Sequence, residues 1–312
     1  MQREANKIKI KRLYNYYCDT IYCTLGQFLK IDDIDNILKN LSEEENQTLA
    51  DYAIFKNKKA GVGRVNIKVT KYGQGLKALE KYGLEGREIL PAKDFPSLPT
   101  SALIGERLML EVESLLDYNP SFLNDLSDFS AKCDLPLIFH IGRDLEEVGK
   151  LVNMYKCSPV EVLESFGFLD RKCLLYGLNF VDKEDQKLIC DYDKTCIFSP
   201  RSDGEEGKGG INLYNFIYNK IKFGFSSGRC YNIDMLAEGK LAIINTNNLM
   251  YDNSLIDSQK VLESLEDSGQ LEIDFDDEEP LENLLDKRVE LEEDEFNIDK
   301  VKEIAKKIKE RI

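Results

Sequence analysis

The sequence has a single histidine, His140, and no tryptophan in 312 residues. Hydrolytic zinc centres usually draw on two or three imidazoles, so one leaves little for a conventional site of that kind. Cys18, Cys23, Cys133, Cys157, Cys173, Cys190, Cys196 and Cys230 include no CxxC pair. That excludes zinc-ribbon and thioredoxin-like spacings, and several of these residues sit inside apolar runs, as small buried hydrophobic groups do. We expect them to be reduced core residues. Long apolar stretches are missing too: nothing approaches the roughly 20 residues of a membrane-spanning helix. The opening MQREANKIKIKR lacks the apolar core of a signal peptide. The expected location is therefore the cytoplasm, with no membrane partner.

Positive charge is short as well. Lys and Arg number 42 against 57 Asp and Glu, a net charge of −15. Residues 261–299 hold seventeen acidic residues against Lys287 and Arg288, residues 300–312 carry +4, and residues 1–260 carry only −4. No broad basic surface is available for nucleic acid, and the acidic run would repel phosphates.

What is present suits one large α/β domain. A hydrophobic content of 42% in a chain of this length can bury the core of an eight-fold barrel, which needs about 250 residues. The predicted organisation is a barrel over residues 1–260, then over 261–312 an acidic linker or vestigial small β segment and a terminal amphipathic helix. In that helix Ile298, Val301, Ile304, Ala305, Ile308 and Ile312 share one face. Gly269 to Phe275 and Arg288 to Leu291 alternate like edge strands, while residues 271–296 are expected to add little to the core because so acidic a run is costly to bury.

The chain is organised around Phe168 to Ala242. Three short apolar runs there, Cys173 to Leu175, Thr195 to Phe198 and Ile221 to Phe225, are each followed by a turn and a helical pattern. This is a βαβαβ signature and implies parallel strands. Extended along the chain, the same reading gives strands near residues 6–13, 62–69, 86–91, 106–114, 135–140, 172–176, 194–198 and 221–226, a (β/α)8 TIM barrel. Ser42 and Glu45 offer a capping box for a helix from about residue 43. Gly61-Val62-Gly63-Arg64-Val65 invites a phosphate-loop reading but lacks the further glycine spacing and the following Lys-Ser/Thr.

The strand ends carry unusual residues: Tyr176-Gly177, Pro200-Arg201-Ser202-Asp203 and Gly224-Phe225-Ser226. Upstream, His140-Ile141-Gly142-Arg143-Asp144-Leu145-Glu146-Glu147-Val148 closes the fifth predicted strand. These words resemble the amidohydrolase superfamily, in the branch that deaminates or dechlorinates aromatic and nucleoside-like substrates. There the corresponding strands end in a metal-binding His before Gly, a Pro-Arg-Ser-Asn turn, Gly-Thr-Asp with a catalytic Asp, and His-x-x-Glu-x-x-Glu-x-Val.

The resemblance implies that His140 falls on a metal-ligand position, Arg143 on the proton-handling Glu, Tyr176 on a His and Ser226 on the Asp. It would place Tyr17 and Asp19 on the His-x-His pair of the first strand. A guanidinium stays protonated and would repel a dication, so the site reads as emptied of metal, with no cofactor and no catalytic residue expected. The remaining pocket would comprise Tyr17, Asp19, His140, Arg143, Tyr176, Arg201, Ser202 and Ser226. Residue chemistry alone also allows His140 to be a hydrogen-bonded structural residue, and Arg143 to pair with Asp144, Asp19 or Asp203. The function expected is a catalytically inactive amidohydrolase-like protein that binds a small anion or a partner, as a homodimer or a heterodimer with an intact relative. The alternative is a hydrolase or deaminase, of nucleoside or menaquinone-precursor type, with a repurposed metal-free or weakly metallated site.

Overall fold

The computed structural model describes residues 7–31, 37–38, 40–98, 107–274, 281–291 and 295–310. Strand β1 (Lys7–Asp19) runs directly into helix α1 (Thr20–Leu25), and Asp19 makes the junction. Held extended, its carboxylate accepts the N–H groups of Ile21 at 3.0 Å and Tyr22 at 3.3 Å, which satisfies two of the donors a helix start leaves open. Helix α2 (Glu43–Lys59) begins at the capping box of Ser42 and Glu45. Acidic residues fill its first turn and lysines its last, the arrangement that the helix dipole favours. Strand β2 (Val62–Lys68) and α3 (Gln74–Tyr82) follow.

The α/β alternation then continues in sequence order. Strands β3 (Glu88–Pro91) and β4 (Leu108–Val112) precede α4 (Pro120–Cys133). Strand β5 (Leu137–Ile141) leads to α5 (Leu145–Tyr155) and α6 (Pro159–Ser165), and β6 (Cys173–Gly177) to α7 (Lys183–Asp191). Strand β7 (Thr195–Phe198) leads to α8 (Pro200–Glu206) and α9 (Leu213–Tyr218), and β8 (Lys222–Phe225) to α10 (Met235–Met250). The chain finishes with α11 (Ser258–Leu265), β9 (Glu266–Asp274) and α12 (Ile298–Lys309). Each predicted strand has its counterpart, and the result is a mixed α/β fold dominated by parallel strands. Among the described residues no helix is long and apolar enough to cross a membrane.

Two compact units divide the chain: Met1–Glu88, Phe225–Leu241 and Asp257–Ile312 form one, and Ile89–Gly224 with Ala242–Ile256 the other. In the first, β1 pairs in parallel with β2 and antiparallel with β9. A parallel bridge joins Cys18 to Gly228, just after β8. Helix α12 lays Val301, Ile304, Ala305 and Ile308 against Ile21 and Leu25 of α1 and Leu49 and Tyr52 of α2. Burying a Val or Ile side chain contributes about 1.5–3 kcal/mol, and Lys307 adds an ion pair to Glu45. In the second unit β4, β5, β6 and β7 pair in parallel, in that order.

Two expectations are corrected, and one helix forms where its sequence marks it weakly. After Ala242, α10 carries through the Asn-rich INTNNLM. The buried Thr246 hydroxyl accepts the Leu213 N–H at 2.9 Å and donates to the Ala242 carbonyl at 2.9 Å, so tertiary bonding overrides weak helix propensity. The acidic run contributes to the core after all, because its Leu271, Leu284 and Leu285 are buried. Arg288 to Leu291 is irregular rather than a strand. Phe275 and Ile312 lie outside the described residues, as do residues 99–106.

Candidate functional site

In the second unit the parallel register sets His140 of β5 directly beside Tyr176 of β6. Their rings lie 4.3 Å apart, both almost completely buried. The imidazole Nε2 also lies 2.8 Å from a carboxylate oxygen of Glu111 on β4, which is 2% exposed. Three neighbouring strands thus contribute a carboxylate, an imidazole and a phenol to one layer. Burial pushes the Tyr176 hydroxyl up from its ordinary pKa, and Ser199 at the end of β7 meets it with a hydrogen bond.

Arg143 stands just past β5, 6% exposed, and its guanidinium is held by two carboxylates and a hydroxyl. Nε donates to Asp203 at 2.6 Å, and Nη2 donates to Glu206 at 2.7 Å and to the Ser202 hydroxyl at 3.3 Å. Ser202 in turn donates to Glu206 at 2.9 Å, and the Asn179 amide donates to the other Asp203 oxygen at 3.0 Å. Burial alone would favour the neutral guanidine. Tyr176, Asp203 and Glu206 outweigh it and hold the Arg143 pKa above its usual value. Burial pushes the Asp203 carboxyl up, opposed by Arg143 and Asn179. The guanidinium also lies over the Tyr176 ring, 5.5 Å from its centroid.

Gly177 makes this clamp possible. With φ at +103° it occupies backbone space that L side chains rarely adopt, and a Cβ there would fall 2.7 Å from Cβ of Arg143. Gly at the end of β6 is therefore a steric requirement of any side chain at position 143, whose Cβ it approaches.

The remaining expected site residues distribute as follows. Ser202 joins the Arg143 network, and Arg201 sits half-buried beside it on α8. Tyr17, Asp19 and Ser226 belong to the first unit and are buried there. Asp19 is a helix cap with Lys68 at 3.6 Å rather than a ligand aimed at an ion. Around it the β1 and post-β8 backbone is tied by neutral groups: Asn15 donates to Asn57 and to Ser227 at 2.8 Å each and accepts the Ser227 N–H at 3.0 Å. Of the three carboxylates offered to Arg143 by the sequence, the structure selects Asp203; Asp144 instead caps α5 and pairs with Lys208. Glu111, Glu206 and Asn179 were missed. Glu111 gave one signal, a lone acidic residue in an otherwise apolar strand, LMLEV.

The metal that the resemblance implies can be tested against these groups. Among the described residues no three His, Cys, Asp or Glu side chains are grouped so as to hold an ion. At the end of β5 the one imidazole faces Glu111, and a guanidinium stands where a carboxylate would be needed. The residues present do not fit a divalent metal centre. Two carboxylates already take the Nε and Nη2 donors of Arg143.

Comparison with known proteins follows the same line. No protein-family model matches the chain. The 5-methylthioadenosine/S-adenosylhomocysteine deaminase of Caldicellulosiruptor saccharolyticus is 22% identical over 143 residues, 45% of this chain and 33% of that protein. The protein of the same name from Carboxydothermus hydrogenoformans is 29% identical over 90 residues, 29% of this chain and 21% of the relative. The alignments thus span a third or less of these two curated relatives. Among solved structures, a zinc-bound adenosine deaminase from Xanthomonas campestris superposes with a TM-score of 0.76 at 12% identity, covering 91% of this chain and 77% of that one. Guanine deaminase from C. acetobutylicum gives 0.70 at 14% identity, covering 83% and 72%. The relatives that this chain matches over part of their length are deaminases, and the solved structures whose fold it shares include deaminases and an atrazine chlorohydrolase.

Proposed function

We propose that this protein is a (β/α)8-barrel member of the amidohydrolase superfamily that has exchanged metal-dependent hydrolysis for binding. The observation that supports the reading is the Arg143 clamp: the position matching the family's proton-handling Glu holds a buried cation, neutralised by Asp203 and Glu206. A group so paired neither relays a proton nor tolerates a dication beside it. His140 and Tyr176 pack against each other rather than around an ion. Binding would draw on a ligand or partner, including a second copy or an intact relative.

A second reading is favoured by the named relatives: a deaminase or related hydrolase with a metal-free or weakly metallated site. Elemental analysis of protein purified without chelator separates the two, followed by assays of methylthioadenosine, S-adenosylhomocysteine, adenosine and guanine with zinc, iron or manganese added. The proposal expects far less than one metal ion per chain and no deamination. Near-stoichiometric metal with turnover that is lost in His140→Ala would establish the enzyme.

A further inference from the structure

Two cavities lie together in the second unit, beyond the end of β6. One, of about 450 Å³, is walled by the segment after β6, the Gly209–Asn212 stretch and the end of α10. Beside it lies a groove of about 570 Å³ between α7 and α9, and Gln186 and Asn215 line both. The inner cavity falls within the usual size range of small-molecule sites.

Its chemistry is narrow. None of its twelve lining residues is ionisable. Phe180, Phe216 and Leu249 supply apolar walls, and four carboxamides supply the polarity: Asn179, Gln186, Asn212 and Asn215. The side-chain amide of Asn215 and the NH2 of Gln186 have no hydrogen-bond partner among the described residues, whereas the Gln186 oxygen takes a bond from Asn219 at 3.2 Å. The side-chain oxygens of Asn179 and Asn212 are shielded from solvent and lack a donor among the described residues. Those two oxygens are out of reach of a guest, so the polar contacts available to one are the unpaired carboxamide groups of Asn215 and Gln186. Full charges entering such a site would lose hydration with no counter-ion to replace it.

From these features we infer that the cavity is a binding site for a neutral, flat aromatic amide or lactam. Its ring packs between Phe180 and Phe216, and its N–H and C=O pair with the carboxamides. A primary amide offers donor and acceptor together, the complement of the free Asn215 side chain. The inference rests on the reading of the chain as a binding protein and names the class of ligand. It also places that ligand one residue from the clamp, because Asn179 bonds Asp203 directly.

The test uses protein-observed NMR titration of the full chain with benzamide, benzoate and methyl benzoate. Benzamide is expected to bind with millimolar affinity or better and to shift the side-chain amides of Gln186 and Asn215. The two probes without N–H should bind at least tenfold more weakly. Asn215→Leu, and independently Leu249→Trp at the half-exposed rim, should each weaken benzamide at least tenfold with the melting temperature unchanged. Equal binding of benzoate, benzamide binding that survives both substitutions, or no benzamide shifts at all would overturn the site. Metal content and deaminase activity are read separately, so a loaded, active protein would sink the binding reading without deciding this one.

Discussion

Two sets of strand ends in this protein, at the positions where the amidohydrolase motifs it resembles keep metal chemistry, are held together in opposite ways. In the second unit the ends of β4 to β7 are full of charge: Glu111 against His140, and Arg143 against Asp203 and Glu206. In the first unit the end of β1 and the turn after β8 are tied mainly by neutral amides and hydroxyls, through Asn15, Asn57 and Ser227. The difference matters because the two kinds of network fail differently. Removing one member of a buried ion pair leaves an uncompensated charge, whereas removing one amide leaves only dipoles without partners.

The sharpest way to break the comparison is Arg143→Met. It strands the Asp203 and Glu206 carboxylates, and we expect a loss of about 3–5 kcal/mol in urea unfolding at pH 8. The loss should shrink toward pH 4, where the stranded carboxyls take up protons. The triple variant Arg143→Met, Asp203→Asn, Glu206→Gln should recover most of it. Equal losses at both pH values would mean that Arg143 contributes packing rather than charge.

Asn15→Ala tests the other side. It leaves the Asn57 oxygen and the Ser227 N–H without partners in a fully buried place, for an expected cost of about 2–3 kcal/mol. Because nothing there titrates through Asn15, the cost should be the same at pH 5 and pH 8. A strongly pH-dependent loss would show that the neutral description is wrong.

The smallest effect isolates a titrating group outside both networks. Asp185, at the start of α7, is buried and accepts a hydrogen bond from Ser158; burial pushes its pKa up to about 6. A carboxyl raised in the folded state favours folding while protonated. Its contribution is therefore complete below the unfolded pKa, near 3.9, and is lost as pH rises through about 6. Asp185→Asn should stabilise the protein by about 2 kcal/mol at pH 8 and leave it little changed at pH 3.5. Its melting curve against pH should be flatter between those limits, and an unchanged curve would discard the assignment.

How much of this the sequence displayed depends on the range of the interaction. Strands β5 to β8 were legible as short apolar runs closed by Gly, Pro and Ser, and the substitution of Arg143 and Tyr176 was visible from position in the motif. The partners were not. Arg143 and Asp203 are 60 residues apart, and three nearby aspartates were equally acceptable on chemistry alone. Glu111 reads in sequence as an ordinary acidic residue of a strand, and only the pairing of β4 with β5 turns it inward toward His140. Helix α10 escaped notice for a related reason, since its Asn-rich end is stabilised by a residue thirty-three positions away, where Thr246 meets Leu213.

Under the proposed reading, the carboxylates around Arg143 limit how a metal site could form here. Arg143→Glu would restore the family's carboxylate in one substitution, but it would set three acidic side chains together with no cation between them. Gly177 would stay through such a change, because the motif also carries Gly there and a Cβ would fall 2.7 Å from Cβ of residue 143. A metal site built by single steps would thus pass first through an intermediate of stranded like charges, less stable than the clamp it replaces.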